Sequence, residues 1–279
     1  ETYYKDGVQQ GLWTEWYDDG QKKRERNFTS GERDSIWTTW YKNGNKKLQA
    51  TYSSGKLNGQ YTSWYNGGII KEKEGHYLDN KKHKKWTYWS KIGQKTEEIN
   101  YNAGINNGDH IKWFGDKSNQ HKIFHITYEN GEKNGLWHYW YDSGIDSLKS
   151  YYKDGKKDSD WTWWRKNGLK DKEGQYKNET KHGVWTVWND STGKAYHKLH
   201  QETFIDGKID GQVTKWYKEG KLDRQGIMRG NEKEGEWTYW ERDGKRWLKF
   251  NYGDGLERVK LGEIEERDGM TYKIGKYEP

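Results

Sequence analysis

The chain has 279 residues, of which 33% are charged and only 30% are hydrophobic, even though 19 Trp and 22 Tyr belong to the hydrophobic share. So few aliphatic residues exclude the aliphatic core that a fold of two packed layers needs. The formal net charge of +7 is spread over interspersed acidic and basic residues, which argues against nucleic acid as a partner. Because the chain contains no Cys, disulfides and thiolate metal sites are excluded.

Tryptophans recur at a nearly fixed interval along the chain. Steps of 24 to 28 residues separate Trp16, Trp40, Trp64, Trp89, Trp113, Trp140, Trp164, Trp188, Trp216 and Trp240. A period of this size predicts a repeat array in which each unit buries its apolar surface chiefly against its neighbours. We expect about ten hairpin repeats over residues 1–255, and a C-terminal cap or tail over 256–279.

Each repeat begins with a strand that carries an aromatic residue and ends in a turn. The aromatic column is Tyr4, Phe28, Tyr52, Tyr77, Tyr101, Tyr128, Tyr152, Tyr176, Phe204 and Met228. Three residues later the turn column is Gly7, Gly31, Gly55, Asn80, Gly104, Gly131, Gly155, Glu179, Gly207 and Asn231. Gly and Asn accept a positive φ at little cost, so this column predicts a hairpin turn.

A second strand follows, with Thr between two aromatic columns, which is a strand-forming composition. A further Gly column opens this strand, at Gly11 and Gly59 for example. Ser35, Lys84 and Ser159 replace it in other repeats, which favours close approach of a ring over a dihedral requirement. The sequence therefore predicts an all-β fold: an elongated, single-layer antiparallel β-meander.

The two aromatic columns of the second strand are three residues apart, so a regular strand places them on opposite faces, whereas a bulge would place both on one face. The column of invariant Trp at Trp16 and its nine equivalents is interpreted as a stacked structural spine. The neighbouring column varies, with His110 and Val213 in two repeats, and is interpreted as an exposed binding row: Trp13, Trp37, Tyr61, Trp86, Trp137, Trp161, Trp185 and Trp237. The long steps after Trp113 and Trp188 are further candidate binding segments.

The stretch Tyr128-Glu-Asn-Gly131-Glu-Lys-Asn-Gly135-Leu-Trp137-His-Tyr-Trp140-Tyr141-Asp-Ser-Gly144 resembles the MORN repeat, and more closely its bacterial variant. The resemblance covers residues 1 to about 255 and implies a single-layer β-sheet scaffold for protein contacts. Some bacterial members are antitoxins, which implies an antitoxin or immunity role as one alternative. The choline-binding and glucan-binding repeats of bacterial cell-wall proteins are similar in their aromatic hairpins, but their unit is shorter.

Catalytic chemistry has little support in the sequence. His121 with His125, and His197 with His200, have spacings at which two imidazoles could share a metal, but no further ligand signature accompanies either pair. They are interpreted as exposed loop histidines, and we predict no metal, no cofactor and no enzyme activity.

Three hypotheses for function follow from these patterns. The first is a non-enzymatic scaffold that binds another protein through an aromatic and charged sheet face, at a bacterial cell surface or secreted. The second is carbohydrate or cell-wall binding by exposed Trp rows, and the third is the antitoxin role. Open sheet edges also allow end-to-end association of copies.

Overall fold

The computed structural model describes residues 3–114, 121–190, 195–253, 260–267 and 270–276, and every regular element among them is a β-strand. The predicted all-β antiparallel meander is confirmed. The chain divides into two compact units, Glu1–Gly144 and Ile145–Pro279. The sequence gives no sign of this division because the 24-residue step from Trp140 to Trp164 continues across it.

The strand bounds in the first unit are β1 Tyr3–Lys5, β2 Val8–Trp16, β3 Lys22–Thr29, β4 Glu32–Trp40, β5 Lys46–Ser53, β6 Lys56–Trp64, β7 Lys71–Leu78, β8 Lys81–Trp89, β9 Lys95–Asn102, β10 Ile105–Trp113, β11 Lys122–Glu129 and β12 Glu132–Trp140. Each of these strands pairs antiparallel with the next. The unit is therefore an uninterrupted meander.

The second unit has the same architecture over β13 Asp146–Lys153, β14 Lys156–Trp164, β15 Lys170–Lys177, β16 Thr180–Trp188, β17 Lys198–Ile205, β18 Lys208–Trp216, β19 Leu222–Arg229, β20 Glu232–Trp240 and β21 Arg246–Tyr252. These strands also pair consecutively and antiparallel. In the predicted C-terminal segment, β22 Lys260–Arg267 and β23 Met270–Lys276 form a separate two-stranded sheet.

The turn within each hairpin has the dihedral angles that the sequence predicts. Gly31 has φ 79° and the preceding Ser30 has φ 51°, and the same pair of positive angles recurs at Asp79 and Asn80. Two consecutive positive φ values define the tight turn whose twist matches the twist of the flanking strands. Glu179 also takes φ 71° at this position, although a positive φ is unfavourable for Glu. The hairpin therefore keeps the same turn even where the residue disfavours it.

The second glycine column is a bulge, and its interpretation as a site of close ring approach alone is wrong. The pairing register shifts at this column in the hairpins from β3–β4 to β19–β20, for example between Glu74 and His76 opposite β8. A positive φ occurs at Gly11, Ser35, Gly59, Lys84, Gly108, Gly135, Ser159, Gly183, Gly211 and Gly235. The dihedral requirement is therefore real, and Ser35, Lys84 and Ser159 meet it without the freedom of glycine.

One face of each unit carries the aromatic core, which we call the core face. Ring centroids of the variable column alternate with those of the first aromatic column: Tyr176 lies 5.3 Å from Trp161 and 5.0 Å from Trp185, both nearly edge-on. Trp86 and Tyr88, two residues apart, also contact each other at 6.3 Å. Residues at even spacing thus share a face, and the column at Trp16 lies on the opposite face, as regular alternation predicts.

The bulge also satisfies the buried indoles. Indole N–H groups donate at 2.9–3.1 Å to the backbone carbonyl ten residues earlier, and that carbonyl belongs to the strand segment where the register shifts. The donors are Trp37, Trp86, Trp137, Trp161, Trp185 and Trp237. A carbonyl that loses its ladder partner at a bulge needs another donor when it is buried. The bulge and the indole are therefore coupled: the bulge presents the carbonyl, and the indole N–H satisfies it.

Candidate binding face

The residues predicted to form an exposed binding row form the buried core, so this part of the interpretation is wrong. Exposed fractions are 0% for Trp86, 2% for Trp237 and 4% for Trp161. Trp137 and Trp185 are also buried, whereas Trp13, Trp37 and Tyr61 are half-buried. The physical reason is that small residues on the adjacent strand, such as Gly75 and Gly174, leave room for these rings to lie flat on the sheet.

Cations cover this core from the solvent side. Lys181 Nζ lies 4.4 Å from the Trp185 ring centroid and 4.7 Å from that of Phe204. Lys133 and Lys233 hold the same position over Trp137 and Trp237, at 4.4 and 4.9 Å. An ammonium over an aromatic face is attracted by the ring quadrupole while its alkyl stem shields the ring from water. The core face is therefore closed by the protein's own side chains.

In each unit the invariant Trp column lies on the opposite face, which we call the open face. Trp16 is 51% exposed, and the equivalents from Trp40 to Trp240 are half-buried. The expectation that this column is the buried spine is therefore wrong. The residues concerned are Trp16, Trp40, Trp64, Trp89, Trp113, Trp140, Trp164, Trp188, Trp216 and Trp240.

A row of Thr that alternates with Glu, Gln or Lys runs across the open face, perpendicular to the strands. In the first unit consecutive cross-strand partners are Thr14, Glu25, Thr38, Gln49, Thr62, Glu74, Thr87 and Glu98. In the second unit they are Lys149, Thr162, Glu173, Thr186, Gln201, Thr214, Gln225, Thr238 and Lys249. We call this the Thr row. Most of its threonines are buried, so the longer polar side chains between them form its surface.

Lysines organise the surface beside the Thr row. Lys22 Nζ lies 5.9 Å from the Trp16 ring centroid and 5.8 Å from that of Trp40, and 2.6 Å from Glu25 Oε2. Lys46, Lys71, Lys122 and Lys170 lie 5.6–5.9 Å from the Trp of the following repeat. Each such lysine links an indole to the sheet, and several also neutralise a carboxylate of the Thr row.

An outer row of exposed side chains lies on the other side of the Thr row. Leu12 is 56% exposed and Ile36 is 55% exposed in the first unit, and in the second unit Val184 is 50% exposed and Ile227 43%. Leu12 and Ile36 lie on strands two apart, about 10 Å from each other at the usual spacing. The open face therefore combines apolar, aromatic and paired charged groups in parallel rows.

No protein-family model and no curated protein matches this chain. The resemblance to MORN repeats therefore stays a prediction from the repeat pattern. None of the described segments is a helix of the length and apolarity that a membrane crossing needs.

The interpretation of the four histidines as exposed loop residues is wrong: all four are half-buried, His125 lies in β11 and His200 lies in β17. His125 Nε2 lies 2.9 Å from Asp109 Oδ1, and His200 lies 3.8 Å from Glu202, where burial lowers the pKa of His200. His197 Nδ1 faces the carbonyl of Ala195 at 2.7 Å. Within the described part of the chain, no three His, Asp or Glu side chains are grouped as metal ligands. The segments 115–120 and 191–194 of the two long steps lie outside the described residues.

His110 replaces Trp in the core column, and the sequence did not indicate its partner. Its Nε2 lies 2.7 Å from Glu97 Oε1, and its ring packs edge-on to Phe124 at 4.9 Å. The hydrogen bond from His110 holds the pKa of Glu97 below its usual range, against the opposing effect of burial. The pair thus places a polar, charge-assisted contact where most other repeats have an indole.

Proposed function

We propose that this protein is a non-enzymatic repeat scaffold of MORN type that binds another protein through the open face. The observation that carries the proposal is the set of exposed apolar side chains in the outer row: Leu12 and Ile36 in the first unit, and Val184 and Ile227 in the second, are each at least 43% exposed, and the open face of each unit also presents Trp. Rows of exposed apolar and aromatic groups bordered by polar ones are typical of protein interaction surfaces.

The charges of this face favour a protein partner over a polyanion. The carboxylates of Glu25, Glu74 and Glu173 are each within 2.6 Å of a lysine on the same strand. A surface of compensated ion pairs offers few free cations to neutralise phosphates, whereas nucleic-acid binding depends on many of them. We expect binding that changes little with salt.

The proposal is tested by affinity capture from cells that encode the protein, with the wild-type chain and a variant that combines Ile36→Glu with Val184→Glu. Both positions are half-exposed, so the charges disturb the face and not the core. The matched control is Ile92→Glu, which places the same charge on a turn side chain that is 65% exposed.

We expect a protein that is retained by the wild type and the Ile92→Glu control and lost by the double variant. Retention by the double variant, equal loss in the control, or capture of nucleic acid in place of protein would contradict the proposal. A captured toxin encoded beside this gene would assign the antitoxin role as the specific form of the binding.

A further inference from the structure

A cavity of about 820 Å³ opens on the open face of the second unit, between β13 and β16. Its apolar lining includes Trp161, Trp164, Tyr151 and Val184, and Asp160, Glu173 and Gln175 contribute polar groups. Lys149 and Thr162 of the Thr row also line it. Its volume is within the range of about 300–1,000 Å³ that is typical of small-molecule sites.

The repeat pattern departs from its rule at this cavity. In four other repeats, Lys stands at the register that faces the following Trp, and Glu stands three residues later, as in Lys22 with Glu25. Before Trp164 the two charges are exchanged: Asp146 occupies the lysine position and Lys149 the glutamate position. The repeat therefore has a carboxylate at the sequence position where four other repeats have an ammonium, and its lysine, Lys149, lies in the cavity lining.

The charges around the cavity balance, which determines the kind of ligand it suits. Glu173 is paired with Lys170 at 2.6 Å, and Asp160 accepts a hydrogen bond from the Gln175 amide at 2.8 Å. The Asp160 carboxylate and the Lys149 ammonium carry opposite charges. Lys149 would repel a cationic ligand, and Asp160 would repel an anionic one. A neutral ligand with many hydroxyl groups finds both hydrogen-bond donors and acceptors in this lining.

From this geometry we propose that the cavity binds a neutral saccharide. Trp164 provides a flat ring whose negative face attracts the C–H groups on the apolar side of a sugar ring. Carboxylate, amide and ammonium groups of Asp160, Gln175 and Lys149 are the side chains that hydrogen-bond vicinal hydroxyls. The site shares Val184 with the outer row that carries the protein-binding proposal, whereas Leu12, Ile36 and Ile227 do not line it.

The test is calorimetric titration of the full chain with maltotriose, cellotriose and chitotriose. We expect saturable binding of at least one of them at one site, weakened at least about tenfold by Trp164→Ala, or about 1.4 kcal/mol. The matched control is Trp64→Ala, which removes a Trp of the same column that faces Lys46. Asp160→Asn, at an exposed position, provides a second variant that keeps the ring and the fold.

Binding that survives in the Trp64→Ala protein but weakens in both Trp164→Ala and Asp160→Asn supports the inference. The absence of binding by all three saccharides, or equal weakening by Trp64→Ala, overturns it. The same titration is repeated with a lysine or a glutamate oligopeptide in place of the saccharides. Binding of either peptide in the cavity also overturns the inference. None of these outcomes depends on capture of the protein partner.

Discussion

At the scale of single residues, the fit between an indole and the glycine beneath it decides which face is the core. A Cβ built on Gly75 would lie 2.3 Å from the Trp86 ring, and Gly174 and Gly226 have the same relation to Trp185 and Trp237. These glycines have no positive φ, so their role is to provide space. They lie outside the three turn columns, which is why the repeat pattern alone did not explain them.

We therefore expect Gly75→Ala to lower the free energy of unfolding by about 1–3 kcal/mol, the usual cost of overpacking a core. The matched control is Gly67→Ala, because a Cβ at Gly67 meets nothing within 4 Å and its φ is not positive. Denaturant unfolding measures both. Equal stability of the two variants would show that Trp86 does not lie on Gly75.

Buried phenols make stability sensitive to alkaline pH. Burial, with the nearby Tyr77 and Glu72 as smaller causes, raises the pKa of Tyr61 to about 12. The unfolded chain loses this proton near the ordinary tyrosine pKa of about 10. Between these two pH values the folded state binds more protons than the unfolded state, so stability falls as pH rises.

Tyr61→Phe should therefore make unfolding less sensitive to pH between about 10 and 12, because one ionisable phenol is removed. Denaturation midpoints measured across this pH range, together with tyrosinate absorbance, provide the comparison with the wild type. An unchanged slope in the variant would contradict the burial of Tyr61.

At the scale of strands and turns, the bulge is the element that defines the repeat. It shifts the pairing register between the two strands of the hairpin, and the core indole donates a hydrogen bond to a carbonyl at the shift, as Trp86 does to His76. Lys84 takes φ 59° at this position, an angle that costs an L-residue about 1–2 kcal/mol.

Lys84→Gly should therefore stabilise the protein by a few tenths to about 1 kcal/mol, since the relief of strain exceeds the entropic cost of about 0.5–1 kcal/mol for an added glycine. Lys85→Gly is the control, because Lys85 does not have a positive φ, so glycine relieves no strain there and should destabilise. Thermal unfolding of both variants decides the sign. Destabilisation by both would contradict the strained bulge.

Strands, turns and opposite-facing columns could be predicted from the sequence because they depend on local rules. Positive φ at Gly31 or Asn80 and the alternation along β4 are properties of a few adjacent residues. The choice of the core column depends on residues from the neighbouring strand, such as Gly75 opposite Trp86. The recurrence of Trp16 and its equivalents favours burial in the sequence, but several of these rings instead lie on the open face beside a lysine at the start of a strand, as Lys22 lies beside Trp16.

At the scale of the whole molecule, repeats within each unit are joined by the same contacts again and again. Hydroxyl groups of Tyr17, Tyr41, Tyr65 and Tyr217 donate at 2.7–2.8 Å to the carbonyl of the invariant Trp in the next repeat. Such nearest-neighbour contacts keep the rows of the open face in register. The first strand, β1, has three exposed residues, and short edge strands disfavour pairing with another copy.

The central claim is that the open face, and not the column at Trp13, is the surface that binds. Hydroxyl-radical footprinting of the chain alone and with its captured protein partner tests it most directly. We predict that Trp16, Ile36 and Val184 are oxidised in the free protein and protected in the complex, while Trp86 and Trp237 remain unreactive in both. Protection confined to the lysines of the core face, with Ile36 and Val184 equally oxidised in both states, would contradict the claim.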